Sequence, residues 1–422
     1  MELKFEKYVK RNIIFLVREK SRISIRRYLL ISALLAKHDI QSCYICISKN
    51  VKSDIEYEIV DMQLNISPII IDYENNTQKT ETKNFVLQKG MFYKNVDLSE
   101  RVNKIVNRHY QSFRNNEDSI KQLLDRVNPL CVFYDLSIIA LSRMILYWAR
   151  RKKIPLLSME HGEGIGEQYS NLPLFADRYI AYSRYNRDIY QRMGVPVEHI
   201  VVTGDPMNDY TRTFDPSEIK RIFCKKFDSD FKKKIILICL KPATDEFMQL
   251  NKDFVCMLSN IFAHDDKFLL VVKPHVSGFS KNYVFEEFSN ILAVEKDYPL
   301  SRLLCIAAYV FTYMSSVIVE SIYFKNKMFV INRENTIAWP PWHHFNVYKK
   351  IDFNEIPQQV RLIQEERLTQ EYFFSEENRR QFLNYFRFAY DGKSTQRVVD
   401  EIFDVHDSFL TKKRINDCFV HQ

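Results

Sequence analysis

Glycine is scarce in this chain, with 8 residues in 422, against an average usage of about 7%. The chain also contains no internal repeat and no low-complexity tract. Hydrophobic residues make up 46% of the sequence and aromatic residues 14%, which is enough to fill buried cores and excludes long disordered regions. On length, we expect two or three folded domains.

Long apolar runs are missing as well. The longest uncharged run lies between Arg302 and Glu320, and it falls short of the ~20 apolar residues that a membrane-spanning helix needs. The first apolar run, residues 13–17, is too short and too closely flanked by charge for a signal peptide. We therefore expect a cytoplasmic protein that contacts a membrane, if at all, peripherally at the inner face of the plasma membrane.

Closely spaced cysteines are almost absent. Only Cys43 and Cys46 among the eight cysteines form a C-x-x-C pair, and strand alternation would turn these two side chains to opposite faces. This spacing therefore argues against a zinc or redox pair. Most of the other cysteines lie in apolar segments, which is typical of small buried side chains in a reducing compartment.

The net charge is +8, and much of the positive charge lies near the start of the chain. The residues concerned are Lys4, Lys7, Lys10, Arg11, Arg18, Lys20, Arg22, Arg26 and Arg27. This cluster indicates either contact with anionic lipid, nucleic acid or a polyanionic substrate, or a solvated face. The basic residues are not interleaved with aromatic residues on one face, so we expect no nucleic-acid partner.

Strand and helix signals alternate along the chain, a pattern typical of parallel sheets covered by helices. Strands are predicted at 12–17, 42–48, 67–73, 129–135, 154–159, 177–183, 199–206, 233–240, 267–275, 290–296, 309–316 and 327–332, the last closing its sheet. Residues 52–82 look irregular apart from that one strand, and the charged stretch 211–234 looks like a linker. The prediction is an α/β fold with two doubly wound lobes, at 1–210 and 211–395, and a C-terminal helix and tail at 396–422.

Three of the eight glycines, Gly162, Gly164 and Gly166, follow the predicted strand at 154–159 within a single loop. Glycine is needed where the backbone turns tightly or lets a ligand approach, and ligands bind at the carboxyl ends of strands in open α/β sheets. The alternative is a turn with no ligand. A dinucleotide fingerprint is not indicated, because Glu167 takes the place of its third glycine.

Three titratable residues, Glu160, His161 and Glu163, lie in the same loop. Side chains of this type at the open end of a strand can exchange protons with a bound substrate. The loop is therefore the strongest candidate for a catalytic site in the chain.

Polar residues also follow two strands in the second half. Lys273 and His275 end the strand at 267–275, where a basic side chain and an imidazole are well placed to meet a phosphate. The alternative is a surface lysine–histidine pair.

A second polar group comes at the end of the strand at 309–316. Ser315 and Ser316 lead directly into a helix, whose first N–H groups and the two hydroxyls would form an anion site. Glu320 follows Ser316 by one helical turn and suits ribose hydroxyls. The alternative is an ordinary serine cap at the helix start.

The order of these motifs resembles the two-lobed GT-B glycosyltransferases. The motifs that carry the likeness are IPLLSMEHG (154–162), VVTGDPMND (201–209), KPHVS (273–277) and YPLSRLLCIAAYVFTYMSSVIVES (298–321). The chain is most similar to the bacterial surface-polysaccharide branch, with its capsule-biosynthesis transferases, CDP-glycerol glycerophosphotransferases and polysialyltransferases. UDP-N-acetylglucosamine 2-epimerases share the architecture.

The resemblance implies a glycosyltransferase that moves a sugar from a CMP-, CDP- or UDP-linked donor to a glycan or glycolipid acceptor, in capsule or lipopolysaccharide biosynthesis. It implies that His161 is the catalytic base or an acceptor contact, with Glu160 and Glu163 as orienting residues or alternative bases. It also implies donor-binding contacts from Lys273, His275, Ser315, Ser316 and Glu320, and loop backbone at Gly162, Gly164 and Gly204. Val276 departs from the pattern, since proline usually follows this histidine.

No cofactor beyond the donor is expected, and no metal, because no D-x-D motif ends a strand. The segment WPPWHHF (339–345) reads either as an aromatic lip near the donor or as a packed connecting loop.

Three other functions stay open. The first is a polyol-phosphate transferase of the CDP-glycerol type, and the second is a 2-epimerase-like isomerase, which would need clustered acidic residues. The third is a non-catalytic binding protein of the same fold.

Overall fold

The computed structural model describes residues 11–17, 22–47, 51–72, 92–93, 96–135, 140–160, 176–242, 245–275, 290–331 and 342–420. The chain divides into two compact units. The first unit combines Met1–Asp209 with Asp391–Gln422, and the second is Tyr210–Tyr390.

The strands and helices of the described residues alternate for most of the chain. The strands are β1 (Asn12–Val17), β2 (Gln41–Cys46), β3 (Ile69–Asp72), β4 (Phe92–Tyr93), β5 (Val96–Asp97), β6 (Pro129–Tyr134), β7 (Leu156–Met159), β8 (Arg178–Ala181), β9 (Ile200–Val202), β10 (Lys234–Cys239), β11 (Phe268–Lys273), β12 (Ile291–Ala293), β13 (Ala307–Tyr313), β14 (Lys327–Ile331) and β15 (Lys349–Ile351). The helices are α1 (Arg22–Ala36), α2 (Val51–Asp61), α3 (Ser99–Val127), α4 (Ala140–Arg151), α5 (Arg184–Arg192), α6 (Pro206–Thr211), α7 (Pro216–Phe227), α8 (Asp245–Phe262), α9 (Leu300–Ile306), α10 (Val317–Tyr323), α11 (Ile356–Gln364), α12 (Glu376–Phe386) and α13 (Ser394–Val420).

The first unit is built on a seven-stranded parallel sheet in the order β3-β2-β1-β6-β7-β8-β9. Its central strands are apolar on both faces, as expected for a sheet covered by helices on both sides. In β1, for example, every residue is buried. The strand order reverses between β1 and β6, and this reversal point is where open α/β sheets bind ligands.

The second unit contains a six-stranded parallel sheet in the order β12-β11-β10-β13-β14-β15. This is the doubly wound strand order, with its reversal between β10 and β13. The α/β prediction with two doubly wound, Rossmann-like lobes is confirmed. One detail was wrong: β15 lies outside β14, so the strand predicted at 327–332 does not close the sheet.

Two stretches that looked irregular are helices. Residues 51–61 form α2, which buries only Val51, Ile55 and Glu58, so its buried face is too narrow and too polar to show in the sequence. Within the predicted linker at 211–234, α7 buries Ile219, Phe223 and Cys224. The charges there occupy the outer face of an amphipathic helix.

The C-terminal helix α13 belongs to the first unit. Glu401 accepts a hydrogen bond of 2.7 Å from Arg178 at the start of β8. At the amino end of α13, the backbone N–H groups of Ser394 and Thr395 donate to the carboxylate of Asp209 at 3.1 and 2.6 Å. The first unit is therefore assembled from both ends of the chain.

Among the described residues, no helix has the length and apolar character needed to cross a membrane.

Candidate functional site

The carboxyl edge of the second sheet brings together the ends of three strands. Cys239 in β10 pairs laterally with Lys273 in β11 on one side and with Thr312 in β13 on the other. Residues that follow these three positions must therefore emerge at the same edge, on both sides of the strand reversal. Lys241, His275 and the serines after β13 are in this position.

Lys241 joins the two sides of the reversal. Its Nζ donates a hydrogen bond of 2.7 Å to the carbonyl of Met314, just after β13. Its own backbone is held by Asn251, whose Nδ2 donates to the Lys241 carbonyl at 3.1 Å. The side chain thus carries a positive charge to the point where this fold binds ligands. Lys241 was not predicted as a site residue from the sequence, although it directly follows the strand predicted at 233–240.

The two serines after β13 lie beside that lysine contact. Ser315 Oγ is 3.3 Å from Thr312 Oγ1. Ser316 occupies the position before α10 with a helical backbone, and its side chain makes no capping hydrogen bond. The ordinary serine cap considered from the sequence is therefore not what the structure contains. Both serines are half-buried.

Glu320 and Lys273 act electrostatically on the same strand end. Burial raises the pKa of the Cys239 thiol to about 12, while Lys273 opposes that rise and Glu320 adds to it. Lys273 and Glu320, both predicted to contact the nucleotide-sugar donor, are therefore close enough to the end of β10 to affect the pKa of Cys239. Glu320 lies in the first turn of α10 and is half-buried.

Lys273 is not a surface side chain. It is 6% exposed, and its Nζ donates to the carbonyl of Pro274 at 3.2 Å and to the carbonyl of Lys296. Burial lowers the pKa of Lys273 to about 8. The lysine thus ties the end of β11 to the turn after β12, and its neighbour His275 is exposed at the edge. Val276 lies outside the described residues.

Most of the predicted catalytic loop of the first unit lies outside the described residues. The residues concerned include His161, Gly162, Glu163 and Gly164. Glu160 is described and is 4% exposed. Its backbone N–H donates to Ile180 at 3.1 Å, and the Tyr182 hydroxyl donates to its carbonyl. Glu160 also contributes to raising the pKa of the buried Tyr190 hydroxyl, after burial itself. It is therefore an interior carboxylate.

Buried charges cluster at the carboxyl edge of the first sheet. The pKa of Tyr182 is raised first by burial; Arg27 opposes the rise, and Asp205, Glu160 and Asp135 add to it. The three carboxylates follow three different strands, β9, β7 and β6. Among these carboxylates only Glu160 was predicted from the sequence as a site residue, because a single acidic residue after a strand does not indicate which other side chains lie near it.

Two of these carboxylates have close partners. Asp205 pairs with Arg27 through hydrogen bonds of 2.9 and 2.6 Å, and Asp135 accepts one of 2.7 Å from Ser24 Oγ. Gly204, before Asp205, has a φ of +83°, a backbone conformation that favours glycine. The turn at Gly204 therefore presents Asp205 to Arg27.

Part of the basic N-terminal cluster is not a solvated face. Arg26 and Arg27 are 7% and 3% exposed. Arg26 donates to Glu58 at 2.6 Å, and Arg27 pairs with Asp205. Interpreting these two arginines as a surface for lipid or polyanions was wrong. Lys4, Lys7, Lys10, Arg18 and Lys20 lie outside the described residues.

The segment after β14 is packed where it is described. Trp342 is 1% exposed and lies 6.2 Å from the Phe386 ring, while Phe345 lies 5.6 Å from the rings of Phe382 and Phe386. Residues 342–345 are thus a packed connection on α12. Residues 339–341 lie outside the described part.

Within the described part of the chain, no group of three or more histidine, cysteine, aspartate or glutamate side chains is arranged to hold a metal ion. Binding of the nucleotide-sugar donor without a metal ion remains a prediction made from the sequence.

The fold is similar to those of solved nucleotide-sugar enzymes. A UDP-GlcNAc 2-epimerase from Neisseria meningitidis, bound to UDP-GlcNAc, superposes with a TM-score of 0.60 at 15% identity, over 93% of this chain and 100% of that one. A glycosyltransferase from Rickettsia africae gives a TM-score of 0.53 at 15% identity, over 94% and 99%. A Methanocaldococcus jannaschii UDP-GlcNAc 2-epimerase, in complex with UDP-GlcNAc and UDP, gives 0.58 at 16%, over 94% and 99%. No protein family model and no curated protein sequence matches the chain.

Proposed function

We propose that the second unit binds the nucleotide of an activated sugar at the edge formed by the ends of β10, β11 and β13. The observation that carries this proposal is the Lys241 side chain, which crosses the strand reversal to the Met314 carbonyl. Ser315 and Ser316 directly follow Met314 in the chain, and their hydroxyls together with the lysine charge match the diphosphate of a nucleotide sugar. Glu320 is the ribose contact, and His275 binds the donor phosphate.

The reaction proposed is transfer of the sugar to a glycan or glycolipid acceptor that the first unit binds, as a step in bacterial surface-polysaccharide biosynthesis. His161 follows β7 and its interior residue Glu160, and it serves as the base that takes the proton from the acceptor hydroxyl. Histidine suits that task near neutral pH because its unperturbed pKa is about 6.5. The protein acts in the cytoplasm, at the inner face of the plasma membrane where a lipid-linked acceptor is presented.

A second candidate is an isomerase that acts on the nucleotide sugar without an acceptor. Its supporting observation is the carboxylate cluster around Tyr182 in the first unit, since epimerisation requires groups that remove and return a proton. Against it, Asp205 is held by Arg27 and Glu160 is 4% exposed. These two carboxylates therefore contribute to the interior of the unit in the structure.

One experiment separates the candidates. The full chain is incubated with UDP-, CDP- and CMP-linked sugars, alone and with a lipid-linked glycan acceptor, and the products are analysed by NMR. Free nucleotide and an extended acceptor support glycosyl transfer, whereas an epimeric nucleotide sugar without acceptor supports the isomerase. Transfer of glycerol phosphate from CDP-glycerol assigns the polyol-phosphate reaction. Absence of turnover and of any thermal shift with nucleotides would leave a non-catalytic binding protein.

A further inference from the structure

A cavity of about 560 Å³ lies beside β15, the edge strand of the second sheet. Its lining includes His343, Asn346, Tyr348, Lys349, Lys350 and Asn378, and we call it the β15 cavity. Small-molecule sites commonly measure about 300–1,000 Å³. His343, Asn346 and Tyr348 precede β15, and Lys349 and Lys350 lie within it. None of the residues proposed to contact the nucleotide belongs to this lining.

We propose that the β15 cavity binds a saccharide that carries a carboxylate or a phosphate. This site is separate from the nucleotide site and does not depend on that assignment.

The charges of the cavity favour an anion. Lys349 and Lys350 have no ion-pair partner among the described residues, and the Nζ of Lys349 lies 4.3 Å from the centroid of the Tyr372 ring. The acidic side chain in the lining, Glu371, has a lowered pKa because its own backbone and Thr369 hydrogen-bond it, with a smaller contribution from Lys327. The lining therefore holds two lysine charges and one carboxylate that already has other contacts, which leaves positive charge for a ligand.

The uncharged groups of the cavity favour a sugar over a bare ion. Tyr348 forms part of the cavity wall, while its Oη is buried and out of reach of a ligand. The amides of Asn346 and Asn378 lie in the same lining and can both donate and accept. A sugar ring offers several hydroxyls at once, so it can bind both amides.

A nucleotide fits the cavity less well. Base recognition without sequence preference uses aromatic faces on which the base stacks. One face of Tyr372 is covered by Lys349, while Phe373 and Phe374 are 3% exposed. The aromatic residues thus form the wall of the cavity, and its polar groups recognise the ligand.

The test is calorimetric titration of the full chain with digalacturonic acid, glucose 6-phosphate, neutral maltose, inorganic phosphate and UDP. We expect the acidic sugars to bind, with the preference between them identifying the anionic group, and maltose not to bind. The exposed substitution Lys350→Glu should weaken acidic-sugar binding by about ten-fold or more, since charge-assisted hydrogen bonds are the strong ones. The matched control Lys232→Glu, an exposed lysine before β10, should leave it unchanged.

A second, milder substitution separates a loss of binding from misfolding. Asn378→Ala removes one amide of the lining at a half-buried position, so it should fold like the wild type and yet bind the acidic sugar several-fold more weakly. Equal binding of maltose and acidic sugars, or wild-type affinity in both Lys350→Glu and Asn378→Ala, would overturn the proposal. Inorganic phosphate binding as tightly as glucose 6-phosphate would overturn the saccharide part. Loss of UDP binding in Lys350→Glu would assign the cavity to the nucleotide instead.

Discussion

Arg27 in α1 and Asp205 before α6 are 178 residues apart in sequence and form a bidentate ion pair in the interior of the first unit. They are 3% and 2% exposed. The guanidinium also lies 4.4 Å from the centroid of the Tyr182 ring, and Asp205 Oδ1 accepts from the backbone N–H of Met207 at 2.9 Å. One pair therefore connects the first helix of the chain to the turn after β9.

Removing either partner of this pair should strongly destabilise the protein. Arg27→Met or Asp205→Asn leaves a buried charge without its partner, a change that typically costs about 3–5 kcal/mol. Urea denaturation would measure the loss. The double variant Arg27→Met with Asp205→Leu should lose less than the sum of the single variants, because no charge is then left unpaired. Arg221→Ala, which breaks the exposed pair with Glu218, is the control and should cause no measurable change.

Nucleotide binding should depend on the edge of the second sheet. Lys241→Met, His275→Ala and Ser316→Ala should each weaken nucleotide affinity by about 10- to 100-fold, because each removes a hydrogen-bond partner of a charged phosphate. Calorimetric titration with CMP, CDP, UDP and GDP would measure these affinities and identify which nucleobase the site prefers. Lys225→Met removes an exposed lysine of α7 and should leave affinity unchanged. Wild-type affinity in all three site variants would rule out this edge as the nucleotide site.

Turnover should depend on His161 while nucleotide affinity does not. His161→Ala should lower the rate by about 10²–10⁴-fold, the range typical of a lost general base. The wild-type rate should fall as the pH drops through the pKa of the histidine, because a protonated ring cannot accept a proton. His199→Ala, in the same unit, is the control. If His161→Ala keeps more than about a tenth of the rate and Glu163→Gln does not, the base is Glu163.

Stability above pH 8 should reflect Lys273. Burial lowers its pKa from 10.5 to about 8 in the folded state, so between these values the unfolded chain binds more protons than the folded one. Stability contributed by this group therefore rises with pH through that window, by at most about 1.4 kcal/mol per pH unit. Urea denaturation from pH 7.5 to 9.5 should show this rise in the wild type relative to Lys273→Met. Parallel pH profiles for the two proteins would contradict it.

The N-terminal lysines should matter for membrane binding more than Arg26 and Arg27 of α1. Arg26 and Arg27 are committed to buried ion pairs, so only residues outside that core can meet lipid. Co-sedimentation with anionic liposomes should be weakened by Lys4→Glu with Lys7→Glu and Lys10→Glu, and by high salt, which screens exposed charges. A wild-type chain that does not sediment with these liposomes at low salt would show that the lysines are a solvated face.

The sequence by itself determined most strands of the two large sheets and their end residues, but not the edge strand β15. Strands that are buried on both faces are continuous apolar runs, which is why β1, β6, β10, β11 and β13 could be predicted from composition. The polar residues that end those strands were equally visible, and parallel pairing requires them to meet at one edge. Where a helix buries only a narrow face, as α2 does with its interior Glu58, the sequence pattern was too weak to predict the helix.

Only the tertiary structure decided which of these residues are partners. The contact of Lys241 with Met314 spans 73 positions and the pair of Arg27 with Asp205 spans 178, and both depend on which strands are neighbours in the sheet. Burial separated Lys273, tied to two carbonyls, from the exposed His275 two residues later. Local sequence does not contain that information, because the environment of a side chain is set by segments that are distant along the chain.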